Sequence, residues 1–341
     1  MRIVVRGANW IGDAVMTIPA LRRIRSIYPD AEISLHTRAW AEGVFRDADF
    51  IDEILPIEGR ASVRSVIDQS RALRRREFDI AFLFPNSFES ALVARLARIP
   101  SRVGYATEQR GFLLTQRIEV PSWKHERHES EYYLNLVDRL TGTADSLIVE
   151  NPALHVSAER RMDARELLVG SGTREVRRLV GIGAGSTNSL AKRWPAVNFA
   201  RLADLLSDEK DCEVVLLGAE SERDVSSSVR AASHSRLIDL TGHTDVGTAT
   251  AILSELDLFI SNDMGLAHIA AAVGTPTIVI FGPTNENATR PLGRSVEIIR
   301  EPVECSPCML RDCPIDHRCM IRITAERVFE SASKMLETQR R

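Results

Sequence analysis

At 341 residues and 38.0 kDa the chain exceeds the size at which one hydrophobic core keeps growing, so two domains are expected. Hydrophobic residues make up 44% and charged residues 27%, a globular balance that excludes a disordered chain. A net charge of -3 argues against a general nucleic-acid binder.

Apolar runs such as Thr277 to Phe281 are too short to span a bilayer. Met1 leads straight into a strand rather than a signal peptide, so the expected compartment is the cytoplasm. Five cysteines, an odd number, argue against a disulfide scaffold.

In chain order the first half reads strand Arg2 to Arg6, helix Asp13 to Tyr28, strand Glu32 to His36, strand Asp79 to Phe84, then a helix through Arg98. Asp47-Ala48-Asp49 precedes a strand and reads as a surface turn. Such alternation predicts a parallel sheet with covering helices.

Asn151-Pro152 is a turn signal, and an arginine-rich helix is expected over Ala158 to Leu168. A second series begins near Leu179, with a strand to Gly183 and a helix from Pro195 to Leu206. Strands follow at Glu213 to Leu217, Leu237 to Leu240, Asp257 to Ser261 and Thr277 to Phe281.

The expected class is therefore α/β, with two Rossmann-like doubly wound domains facing across a cleft. Boundaries are set at 1–160 and 161–323, with a final helix at 324–341 left open to packing on either domain, including back on the N-terminal one.

Gly181-Ile182-Gly183-Ala184-Gly185 has GxGxG spacing, and no acidic residue ends the next strand, so a nicotinamide cofactor is not expected. The turn after Gly183 nevertheless offers backbone N–H groups and the Ser186 and Thr187 hydroxyls to an anion, with Lys192 adding charge. A plain strand-to-helix loop is the alternative.

In "SNDMGLAHIAAAVGTPTIVIFGPT" (Ser261 to Thr284) the apolar run Asp257 to Ser261 ends in a turn holding Asp263 and Gly265, and His268 follows within the next helix. A helix N-terminus there suits a phosphate while Asp263 takes sugar hydroxyls. The alternative makes Asp263 an N-cap and His268 a partly buried polar residue. Asn9-Trp10-Ile11-Gly12-Asp13 repeats the arrangement on the first sheet, where Asp13 is either a helix cap or a general base.

These stretches, with "GAGSTNSLAKRWP" (Gly183 to Pro195), "LGAESER" (Leu217 to Arg223) and "CSPCMLRDCPIDHRCM" (Cys305 to Met320), together resemble the heptosyltransferases of lipopolysaccharide core assembly. That resemblance implies the GT-B fold and inverting transfer from ADP-L-glycero-D-manno-heptose to a heptose of the inner core, with no metal or other cofactor.

It also implies that Asp13 is the catalytic base and Lys192 stabilises the leaving diphosphate. Ser186 and Thr187 would line the diphosphate, Glu222 the ribose or sugar, and Asp263, Gly265 and His268 the heptose and phosphate. Met264 departs from the serine or threonine common in the family.

The implied acceptor is Kdo-lipid A bearing heptose, met by peripheral contact at the cytoplasmic face of the inner membrane. Arg60 and Arg64, near helical spacing with Arg71 and Arg74, and His128 in a second basic patch would meet its anions.

Cys305, Cys308, Cys313, His317 and Cys319 are numerous enough for a tetrahedral zinc site, but their spacing matches no standard motif, which favours packing thiols. Two other classes remain open: a non-catalytic nucleotide-sugar binding module, in which Asp13 is dispensable, and a GT-B-like sugar-nucleotide epimerase, which needs no acceptor.

Overall fold

Twelve strands form two sheets in a computed structural model that describes residues 1–59, 62–142, 150–174, 177–187 and 189–338. The first sheet contains β1 (Arg2–Arg6), β2 (Glu32–Arg38), β3 (Glu53–Ile57), β4 (Ile80–Leu83), β5 (Ser101–Tyr105) and β6 (Gln116–Ile118). Its order is β3-β2-β1-β4-β5-β6, and every pairing is parallel.

The second contains β7 (Arg178–Gly183), β8 (Cys212–Leu216), β9 (Leu237–Asp239), β10 (Leu258–Asn262), β11 (Thr277–Phe281) and β12 (Val296–Arg300). Its order, β12-β11-β10-β7-β8-β9, repeats the first, again with parallel pairing throughout.

Both sheets have the Rossmann order, in which the chain winds outward from the first strand in one direction and then in the other. The connections diverge between β1 and β4 in one sheet and between β7 and β10 in the other. Such a switch point leaves a crevice at the carboxyl ends of the strands. Helices cover both faces of a parallel sheet, so its central strands are apolar almost throughout, and β8, β10 and β11 are buried at every position.

The chain divides into compact units Met1–Pro152 and Ala153–Arg341, meeting within the segment that the turn signal marks and ahead of residue 160. The final helix, Ala325–Thr338, contributes to the core of the C-terminal unit. Val328, Ala332 and Leu336 are fully buried in the core of the C-terminal unit, and Arg178 donates to the Leu336 carbonyl at 2.8 Å. Its apolar stripe packs with the helix Ala196–Lys210 of the same unit.

The helix expected over Asp13 to Tyr28 is two helices, Ile11–Met16 and Ile18–Ile27. Pro19 has no N–H to continue the first, and the Thr17 hydroxyl donates to the Ala14 carbonyl at 2.6 Å where it stops. Strand β3 is the strand that Asp47-Ala48-Asp49 precedes, and Pro56 falls within it. It lies at the sheet edge, where a missing donor is tolerated.

Candidate active site

In the C-terminal unit, the organising residue is Asn262, the last of β10 and wholly buried. Its Nδ2 donates to the Ala184 and Gly185 carbonyls at 2.8 and 3.2 Å, and its Oδ1 accepts from the Trp194 backbone N–H at 2.9 Å. A side-chain amide has both donors and an acceptor, so one residue fixes the glycine turn after β7 and the chain beyond Lys192. The sequence offers a hint of this role in a polar residue closing an apolar strand.

Next to it Asp263, 6% exposed, accepts through Oδ2 from Lys192 Nζ at 2.7 Å and from the Thr284 hydroxyl at 2.8 Å. Lys192, Asp263 and Thr284 come from three separate loops, each following a strand of the same sheet. Lys192 lies in the 3-10 turn Leu190–Lys192 with its side chain 27% exposed, so the ammonium is both anchored and reachable.

The cysteine-bearing tail braces that turn. Arg311 O accepts from the Ala191 N–H at 2.9 Å and from the Ser189 hydroxyl at 3.0 Å, and the His317 imidazole donates to the Ala191 carbonyl at 2.6 Å. Among the described residues no group of three or more His, Cys, Asp or Glu side chains is placed to hold a metal ion. Burial pushes the Cys319 thiol up to about 11, so it stays protonated and packs beside Met320 under Gly282.

The glycine turn itself is close-fitted. Ser186 is buried, and its carbonyl accepts from Arg193 Nε and Nη2 at 3.3 and 3.1 Å. Thr187 is exposed and donates to Glu222 Oε1 at 3.3 Å. Glu222, 3% exposed, accepts the Ala219 N–H at 2.9 Å through its other oxygen. A Cβ at Gly185 would collide with that carboxylate, so glycine is required there for the approach.

Gly265 opens the helix Gly265–Val273 and His268 is buried within it. Met264 is the N-cap of that helix, and its sulfur packs against the strand end: a Cβ at Gly183 would lie 2.7 Å from its Sδ. The six donor-site residues expected from the sequence and Lys192 thus all lie in the loops and helix starts that follow the strands of the C-terminal sheet.

In the N-terminal unit Asp13 is the third residue of the helix Ile11–Met16, in its first turn. The Tyr133 hydroxyl donates to its Oδ1 at 3.4 Å. Burial, then the Asp13 charge, hold the Tyr133 phenol well above its ordinary range, so it remains a donor. Tyr133 is on the helix Glu129–Thr141, and no local pattern marks it as a partner of so distant a residue.

His128 is buried at the N-cap of that helix, where Nδ1 accepts from the Ser130 N–H at 3.2 Å. Arg64 projects into solvent from the helix Val63–Arg74, its side chain 93% exposed and 3.8 Å from Asp68. The structure therefore does not bring Arg64 and His128 together as one kind of contact. Arg60 lies outside the described residues.

Residues 66–318 match the profile of glycosyltransferase family 9 (heptosyltransferase). Lipopolysaccharide heptosyltransferase 2 of Escherichia coli (strain K12) is 28% identical over 349 residues, which cover 98% of this chain and 99% of that protein. Lipooligosaccharide heptosyltransferase 2 of Haemophilus ducreyi is 28% identical over 98% of this chain and 99% of its own length. The solved structure of E. coli ADP-heptose lps heptosyltransferase II superposes with a TM-score of 0.88 at 28% identity, covering 100% of both chains. Matching in sequence over most of its length and in its paired Rossmann-like GT-B domains, the chain belongs to glycosyltransferase family 9, the heptosyltransferases.

Proposed function

We propose that this glycosyltransferase moves heptose from ADP-L-glycero-D-manno-heptose to a heptose of the lipopolysaccharide inner core, with inversion at the anomeric carbon. The observation that carries the reading is the Lys192–Asp263–Thr284 set at the carboxyl ends of the C-terminal strands, a cation held ready for a diphosphate in a chain related end to end to heptosyltransferase 2 proteins.

Asp13 takes the proton of the acceptor hydroxyl as that oxygen bonds to the anomeric carbon. The bond from that carbon to the β-phosphate oxygen breaks with its electron pair, and ADP departs. Lys192 neutralises the charge gathering on the leaving phosphate, and its fixed position means that little reorganisation is needed during the reaction. Both contacts to Asp263 fall on Oδ2, so Oδ1 accepts from a heptose hydroxyl. Ser186 and Thr187 line the diphosphate, Glu222 meets the ribose, and Gly265 and His268 complete the cradle.

Arg60 and Arg64 meet acceptor anions, and His128 serves by setting the start of the helix that presents Tyr133. No helix among the described residues is long and apolar enough to cross a membrane. Peripheral contact at the cytoplasmic face of the inner membrane fits the exposed Val63, Ile67 and Arg64 on one helix. The test is incubation with ADP-heptose and a heptosylated Kdo-lipid A acceptor. ADP release that depends on acceptor, with one new heptose linkage of inverted configuration by NMR, is expected. Isomerisation of ADP-heptose without acceptor would refute the reading.

A further inference from the structure

Arg6, the last residue of β1, stands at the switch point of the N-terminal sheet and has no part in the chemistry above. It is 7% exposed, and it pairs in register with His36, so the two side chains share a face of the sheet. Around its guanidinium, Nη1 donates to Gln69 Oε1 at a long 3.4 Å, and Nη2 stands 3.9 Å from Glu89, beyond hydrogen-bond reach. Nε is buried with no hydrogen-bond partner among the described residues.

Two other buried arginines of the same unit show what a purely structural arginine receives. Arg110, wholly buried, donates Nε to the Tyr105 carbonyl at 2.9 Å, and its Nη groups reach the Ser87 carbonyl, the Ser90 hydroxyl and Asn86. Arg102 donates Nε to the Leu113 carbonyl at 2.7 Å and Nη1 to the Ile99 carbonyl. Arg6 alone of the three is short of acceptors, and a desolvated cation left so is costly unless something else completes it.

Its surroundings carry surplus positive charge. Arg38 lies on the same strand face as His36 and donates to the Gly59 carbonyl at 3.0 Å. Burial, then the charges of Arg6 and Arg38, push the His36 imidazole down to about 3, so it adds no charge of its own. Burial lowers Arg6 only to about 10, which leaves it a cation at neutral pH. Glu89 is the one carboxylate among the groups that act on Arg6, and it is too distant for a hydrogen bond.

We propose that Arg6, backed by Arg38 and oriented by Gln69, is an anion subsite that takes a single carboxylate or phosphate group of the acceptor through its guanidinium fork. The inference rests on the transferase reading. Asp13, the base for the acceptor hydroxyl, follows β1 by one short loop, so an acceptor reaching Asp13 also reaches the end of that strand. A buried, pre-positioned fork gives a specific contact, unlike the solvated Arg64, which supplies diffuse attraction.

The experiment compares wild type, Arg6→Met and Arg6→Lys in the full chain with a heptosylated sugar-acid lipid acceptor. Arg6→Met is expected to raise the acceptor KM by tenfold or more while the ADP-heptose KM and thermal stability hold, and Arg6→Lys is expected to fall between. Acceptors with the phosphates removed, or with the carboxylate methyl-esterified, identify the group: the one whose loss abolishes the difference between wild type and Arg6→Met is the ligand.

If Arg6→Met does not fold, Arg6→Lys carries the test with inorganic phosphate and acetate as inhibitors. Competition against acceptor, weakened by Arg6→Lys but not by Arg201→Ala at an exposed surface ion pair, supports the subsite. Unchanged acceptor KM and unchanged inhibition would overturn it. A wild-type chain that transfers nothing would instead defeat the reading on which it rests.

Discussion

At the end of β10 the polar groups close on their own unit: Asn262 binds the turn after β7, Asp263 binds Lys192 and Thr284, and Glu222 binds Ala219 and Thr187. At the end of β1, Asp13 receives a long bond from Tyr133, and Arg6 keeps an unpartnered Nε among the described residues. The same strand order thus supports a cation held by a carboxylate in one unit and, in the other, a carboxylate near a guanidinium whose Nε is open among the described residues. A diphosphate has one charge pattern that a fixed cradle can match, whereas a base has to keep acceptor capacity for an incoming proton.

Breaking the end that carries Asp13 is expected to have the largest effect. Asp13→Asn should lower kcat by about 10²- to 10⁴-fold, the usual worth of a general base, while ADP affinity measured by calorimetry is unchanged. Retained turnover would remove Asp13 from the chemistry. In the C-terminal unit, Lys192→Ala should lower kcat/KM by about 10²-fold or more and weaken ADP binding. Because Lys192 and Asp263 act as a pair, Lys192→Ala combined with Asp263→Asn should be little worse than Lys192→Ala, and additive losses would show that they act separately.

Asn262→Ala tests the wiring rather than the charge. It strips three buried hydrogen bonds and should cost about 2 kcal/mol, seen as a Tm lower by roughly 5 °C with weaker ADP binding. The smallest effect belongs to Tyr133→Phe. The phenol donates to the charged form of Asp13, so removing it disfavours that form. Because the base works deprotonated, the acid limb of the kcat/KM profile should then move to higher pH. A shift the other way would mean that Tyr133 does not support the carboxylate.

Much of the donor site was legible along the chain because its residues cluster just after apolar strands, where loop chemistry and sheet polarity coincide. Lys192, Glu222 and Asp263 each follow a strand recognisable by its buried run. Asp13 was legible for the same reason, and its choice between cap and base was not, since that depends on whether its side chain turns to the helix backbone. Strands β5, β6 and β12 were missed: β6 has only three residues and β12 is mostly half-buried, and their residues take up sheet pairing because a neighbour is already there.

The amino-acid sequence by itself determined the two parallel sheets, the glycine turns and the identity of the candidate base and cation, because periodicity and turn chemistry are local properties. The tertiary structure alone decided which side chains share a charge or lack one. Tyr133 reaches Asp13, His317 holds the turn of Lys192, and Arg6 is left short of acceptors through contacts between residues far apart in the chain. Burial and hydrogen-bond satisfaction depend on what folds around a group, and no local pattern encodes that.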